Sequence, residues 1–226
     1  MLSIFVFAHI SAGAVALSSG FLTLLTTKGN AKHKQYGKAY LLSMLILGLT
    51  GVIVATVRDI PLSMLNGFVI CYFVLSSLSA IRNLEYQINL FDKVLAAFAW
   101  IMVFAFAWYA YQVSLSENNQ LGGFGIAEYI VFGSVMLFSA IADLRYLLKS
   151  GLSNTQKLVR HLWRMFFPLF MATAAFFLGQ AKLFPKSLQT IELLVMPVIV
   201  VILSMVYWSI KVALKKSAFN RGNSQA

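Results

Sequence analysis

The sequence predicts an all-α polytopic transmembrane helical bundle of about seven helices, N-terminus outside and C-terminus cytoplasmic. Three observations predict it. First, 60 % of the 226 residues are hydrophobic and only 11 % are charged, about half the charge of a soluble domain, and the mean hydropathy is +0.80. Second, apolar residues gather into seven long continuous runs rather than alternating ones. Backbone groups in lipid have no water to bond, so such runs must close their hydrogen bonds internally as helices. Third, the basic residues are lopsided. Of 18 Lys and Arg, only Arg58, Lys182 and Lys186 fall on one side of the implied bundle, and all the others fall on the opposite side. Short loops with that imbalance place the basic side in the cytoplasm.

The runs lie at about 3–27, 38–58, 62–82, 93–114, 126–148, 158–182 and 190–213, each near the roughly 20 residues that a bilayer requires. The first connection, Lys28 to Lys38, is basic and carries His33. The second, Arg58-Asp59-Ile60-Pro61, is a tight turn whose proline suits the first turn of a helix. Ser116 to Gly123 is loop chemistry, rich in Asn and Gly. Residues 1–216 read as a single transmembrane domain, and 217–226 as a polar cytoplasmic tail expected to be disordered. The first run lacks a basic leader and a small-residue cleavage motif, so it is expected to be a retained span.

Small residues mark the faces where helices approach closely in lipid. In the first run His9, Gly13, Ala16 and Gly20 share one face, which should turn inward. In the sixth, His161, Arg164, Pro168, Ala172, Ala175 and Gly179 do the same, and Pro168 should kink the helix. Gly13, Gly20 and Gly179 are therefore the expected helix-packing positions.

Ionisable groups at membrane depth are costly and mark candidate functional positions. His9 stands about 10 Å in from the outer end, by the helical rise. Its expected partner is Gln180, at comparable depth on the sixth helix. Asp143, His161 and Arg164 lie within a turn or two of the cytoplasmic boundary, with His33 on the same side. Interfacial anchoring explains basic side chains near helix ends, Arg160 among them. An Asp143–Arg164 pair locking the fifth helix to the sixth is a structural alternative. The sharper reading has His33, Asp143, His161 and Arg164 converging at the cytoplasmic mouth. There His33 and His161 are candidate ligands of a b-type haem or of a metal ion.

The single Cys71 sits in an apolar run and cannot form an internal disulfide. The net charge of +11 is accounted for by the positive-inside rule, with the lipid bilayer as partner and no nucleic acid required. A homo-oligomer or a membrane-complex partner stays open. The sequence has no G-x-S-x-G, H-E-x-x-H or P-loop pattern. Three function classes therefore remain: a redox or haem-associated protein, a small-solute or proton-coupled carrier, and a non-catalytic accessory subunit.

The pattern His9-x3-Gly13-x6-Gly20, Lys28-Gly29-x3-His33-x3-Gly37-Lys38-x-Tyr40 and His161-x2-Arg164-Met165 resembles a family of bacterial multi-pass membrane proteins of unknown function. That family has a basic His-x3-Gly turn between its first two spans. The resemblance implies a bacterial inner-membrane location and transfers no activity. The turn is also similar to that of two-haem transmembrane cytochromes, but this chain lacks their two histidine pairs at matched depths.

Overall fold

The computed structural model describes residues 2–149 and 151–223, without the side chains of 213 and 215–223. Among the described residues there are seven α-helices and no strand: α1 (Leu2–Leu25), α2 (Ala31–Val57), α3 (Pro61–Arg82), α4 (Leu90–Leu115), α5 (Ile126–Leu148), α6 (Asn154–Phe177) and α7 (Ile191–Asn223). The tail expected to be disordered, 217–226, falls where side chains, and all of 224–226, lie outside the described residues.

The helix ends follow capping chemistry more than hydropathy. The Asn30 side chain accepts from the His33 N–H at 2.8 Å, so α2 begins well before its apolar run and His33 lies in its first turn. Asn89 with Asp92, and Ser153 with Gln156, form reciprocal capping boxes that open α4 and α6. Pro61 stands in the first turn of α3. At the other end of α1, Lys28 Nζ donates to Thr23 O at 2.6 Å and Leu24 O at 3.0 Å, closing carbonyls that the helix leaves open. Burial lowers the Lys28 ammonium from its ordinary pKa.

The centre of the bundle is α3, which packs on α2, α4, α5 and α6. Phe73 meets Trp163 and Phe167, and Ser77 meets His161. As residue number rises on α3 it falls on α6, so the two run antiparallel. One apolar core joins α3, α4 and α5 around Tyr72, Phe106, Tyr129 and Met136. A second joins α1, α2, α6 and α7 around Ala16, Met44, Leu169 and Val201. Close approach is built in by glycine. A Cβ at Gly20 would meet Leu169 Cδ1 at 2.6 Å, and one at Gly48 would meet Gly67 O at 2.8 Å.

The polarity is inverted relative to a water-soluble fold. Phe7, Phe104, Phe138 and Leu203 are each more than 60 % exposed, whereas Arg164 is 0 % and Asp143 1 % exposed. Apolar outside and ionised inside is the pattern that lipid imposes. Among the described residues, six helices are long and apolar enough to cross a membrane. The exception to the seven expected spans is α6, whose first half carries Lys157, Arg160, His161 and Arg164. Its 24 residues reach about 36 Å at the helical rise, and it turns Arg160 and Arg164 into the bundle.

Candidate functional site

Asp143 on α5 collects three side chains from two other helices. Its Oδ1 accepts from Arg160 Nη1 at 2.8 Å and from Arg164 Nη2. Its Oδ2 accepts from the Tyr72 hydroxyl at 2.6 Å. Helical spacing puts these groups within reach of one another. Arg160 and Arg164 stand four apart on one face of α6, and Tyr72 lies on the α3 face turned toward α5 and α6. The Asp143–Arg164 pair expected from sequence is present, and Arg160 joins it. Arg160 is 7 % exposed, so it is not an interfacial anchor; the Asp143 carboxylate holds it inside, against the repulsion of Arg164 one turn deeper.

Aromatic rings wall the cations. The Arg164 guanidinium stands 5.3 Å from the Tyr72 ring centre and 5.0 Å from that of Trp163. Arg160 stands 4.5 Å from the Tyr146 ring centre. Such contacts contribute about 2 kcal/mol each when desolvated. Among the described residues, Nε and Nη1 of Arg164 are buried with no hydrogen-bond partner.

Beyond Tyr146 a second polar cluster begins. Asp92, 2 % exposed, accepts from Ser79 Oγ at 2.5 Å, Asn83 Nδ2 at 2.6 Å and the Asn89 N–H at 3.0 Å. The Tyr146 hydroxyl lies 3.1 Å from Asp92 Oδ2 and 3.0 Å from Gln87 O, and its one proton serves either. Asn83 is tied in turn to Lys157, whose Nζ donates to Asn83 O at 2.6 Å. Two buried arginines therefore face two buried aspartates, one directly and one across the Tyr146 ring. Contacts thus run from Asp92 through the Tyr146 hydroxyl and ring to Arg160, and on to Asp143 and Arg164. An open hollow of about 390 Å³ is lined by the next residues along the two helices, Lys93 and Leu147, with Tyr86 and Ile88, and not by Asp92 or Tyr146.

The other sequence candidates are placed separately. His161 Nδ1 lies 2.8 Å from Ser77 Oγ, which also reaches His161 O at 3.0 Å. His33 stands in the first turn of α2, and among the described residues its Nδ1 is buried without a hydrogen-bond partner. Among the described residues, no three His, Cys, Asp or Glu side chains gather as metal ligands; Asp143 is taken by the arginines instead. His9 does not pair with Gln180. Its Nδ1 lies 3.1 Å from Leu47 O and 3.2 Å from Thr50 Oγ1 on α2, because α1 packs along α2 and Gly51 leaves room for the ring. Gln180 is exposed, beyond the end of α6. Gly179 likewise lies past that end and is exposed, and a Cβ there would meet its own chain at Ala175 O, 2.5 Å away. It shapes the helix exit rather than a helix–helix contact. Gly13 and Gly20 do face neighbours, Leu47 for the first and Tyr40 with Leu169 for the second.

Sequence reasoning missed Tyr72, Asp92 and Tyr146. A signal was available: Tyr72, Ser76, Ser79 and Asn83 form a polar stripe at helical spacing along an otherwise apolar α3, and Tyr146 sits one turn from Asp143. Comparison with protein-family models, with curated proteins and with solved structures returns no match for this chain.

Proposed function

We propose that this multi-pass membrane protein is a small-solute or proton-coupled carrier of the bacterial inner membrane, oriented N-terminus out and C-terminus in, with the Tyr72–Asp143–Arg160–Arg164 cluster as its coupling element. The observation that carries the reading is a carboxylate shared by two buried arginines and linked through Tyr146 to a second buried aspartate. Ionised groups held inside a bundle mark ion and proton pathways. An anionic group of a solute competes with Asp143 for the guanidinium donors, and Nε and Nη1 of Arg164 are already without a partner among the described residues. Location and orientation are supported by the charge asymmetry and by the resemblance of the His9, His33 and His161 segments to the bacterial family.

Purified protein in liposomes tests this. An imposed pH gradient, challenged with small organic acids and followed with a pH-sensitive dye, should collapse faster with wild type than with Tyr72→Phe or Arg160→Gln. Both variants leave the Asp143–Arg164 pair in place. Equal rates for wild type and empty liposomes would remove the carrier reading.

A second reading, a haem- or metal-associated protein with His33 and His161 as ligands, is favoured by the unpartnered buried Nδ1 of His33. A Soret band or stoichiometric metal in the purified protein, lost in His33→Ala, supports it. Their absence sinks it.

A further inference from the structure

Two segments at the basic end of the chain contain no acidic residue. Residues 26–38 hold Lys28, Lys32, Lys34 and Lys38 without an Asp or Glu, and residues 204–223 hold Lys211, Lys215, Lys216 and Arg221 likewise. The fold brings the two segments together at one tryptophan. Lys28 Nζ lies 4.7 Å from the Trp208 ring centre and Lys211 Nζ lies 4.8 Å from it. Lys28 is held in place by the carbonyls at the end of α1, and Lys211 reaches only the Tyr207 hydroxyl, at 3.3 Å. Among the described residues every ion pair belongs to Asp143, so neither lysine has a carboxylate. Two lysines meet at one indole with no carboxylate beside either, which leaves the seam electropositive.

Trp208 is half-buried and packs against the apolar core shared by α1, α2, α6 and α7, so the two ammonium groups stand at the edge of that core. We propose that the seam between the end of α1 and the end of α7 binds the headgroup of an anionic phospholipid, its phosphodiester held by Lys28 and Lys211 beside Trp208. This inference needs only that the bundle lies in a membrane and is independent of the carrier reading.

The test uses the full chain purified in a zwitterionic detergent, titrated with short-chain phosphatidylglycerol, short-chain phosphatidylcholine or inorganic phosphate, with thermal stability as the readout. Phosphatidylglycerol should stabilise the wild type saturably and phosphatidylcholine should not. Lys211→Gln should weaken that response about fivefold, and Lys28→Gln with Lys211→Gln roughly twenty-five-fold, from the contribution of each lysine near an anionic lipid. Lys182→Gln with Lys186→Gln, near the other end of α7, should leave it unchanged. Should the Lys28 variant fail to fold, Lys211→Gln alone decides. Equal stabilisation by phosphatidylcholine, an equal loss in the Lys182/Lys186 variant, or the whole effect from inorganic phosphate would each overturn the proposal.

Discussion

Asp143 Oδ1 accepts from two guanidiniums while Oδ2 accepts from Tyr72, and this sharing sets an order of mutational cost. Asp143→Ala strands two buried cations at once and should cost about 3–5 kcal/mol, the range for breaking a buried pair. Arg164→Met should cost less, because Arg160 continues to neutralise Asp143. Tyr72→Phe removes one hydrogen bond to a charged group and should cost about 1.5–3 kcal/mol. Unfolding in mixed micelles by denaturing detergent measures all three; an Arg164→Met loss larger than that of Asp143→Ala would contradict the shared-carboxylate arrangement. The sequence exposes part of this. Asp143 and Arg164 are conspicuous as charges in apolar runs, and their pairing follows from helix order. Tyr72 is not conspicuous, since a tyrosine in a transmembrane helix reads as packing until its hydroxyl is seen to face an acid. His9 was legible as an inward group but not in its partner, because depth alone does not say which neighbouring helix lies beside it.

At the scale of elements, the helices themselves are legible and their junctions less so. Hydropathy locates seven helical segments, but α2 begins at a polar residue because Asn30 caps it. In the same way, α6 opens at the Ser153 capping box and stops at Phe177, short of its apolar stretch. The crossing of α2 and α3 was only half legible. Gly48 and Gly67 lie on different helices, and a Cβ at Gly67 would come within 2.7 Å of Gly48 O. Gly48 has small partners at the α1 stripe spacing, Gly51 and Ala55, but that spacing does not say which neighbouring helix the face meets. Gly48→Ala or Gly67→Ala should force α2 from α3 and cost about 1–3 kcal/mol, as overpacking does. Gly13→Ala, whose Cβ would lie 3.4 Å from Leu47 Cδ1, should be nearly neutral. Gly151 has a φ of 116°, and a Cβ there would meet Tyr86 Cα at 2.5 Å. Gly151→Ala should therefore loosen the loop contact in which Tyr86 N–H bonds Leu152 O, read as faster amide exchange around Tyr86.

For the whole molecule, the membrane assignment follows from where polarity sits: phenylalanines and leucines outside, arginines and aspartates within. Orientation follows from charge and is a separate prediction. A membrane-impermeant thiol reagent applied to intact cells should label Asn118→Cys and spare Lys34→Cys, with native Cys71 buried and silent. The reverse pattern would invert the topology. Coupling of protons to solute movement through the Asp143 cluster is tested most directly by gradient collapse in liposomes, comparing wild type with Arg160→Gln. Small organic acids should drive collapse in the wild type, with a loss of about tenfold or more in Arg160→Gln at equal folded protein, as expected when more than about 1.4 kcal/mol of coupling is removed. Unchanged flux in Arg160→Gln, or no flux in the wild type, would contradict it.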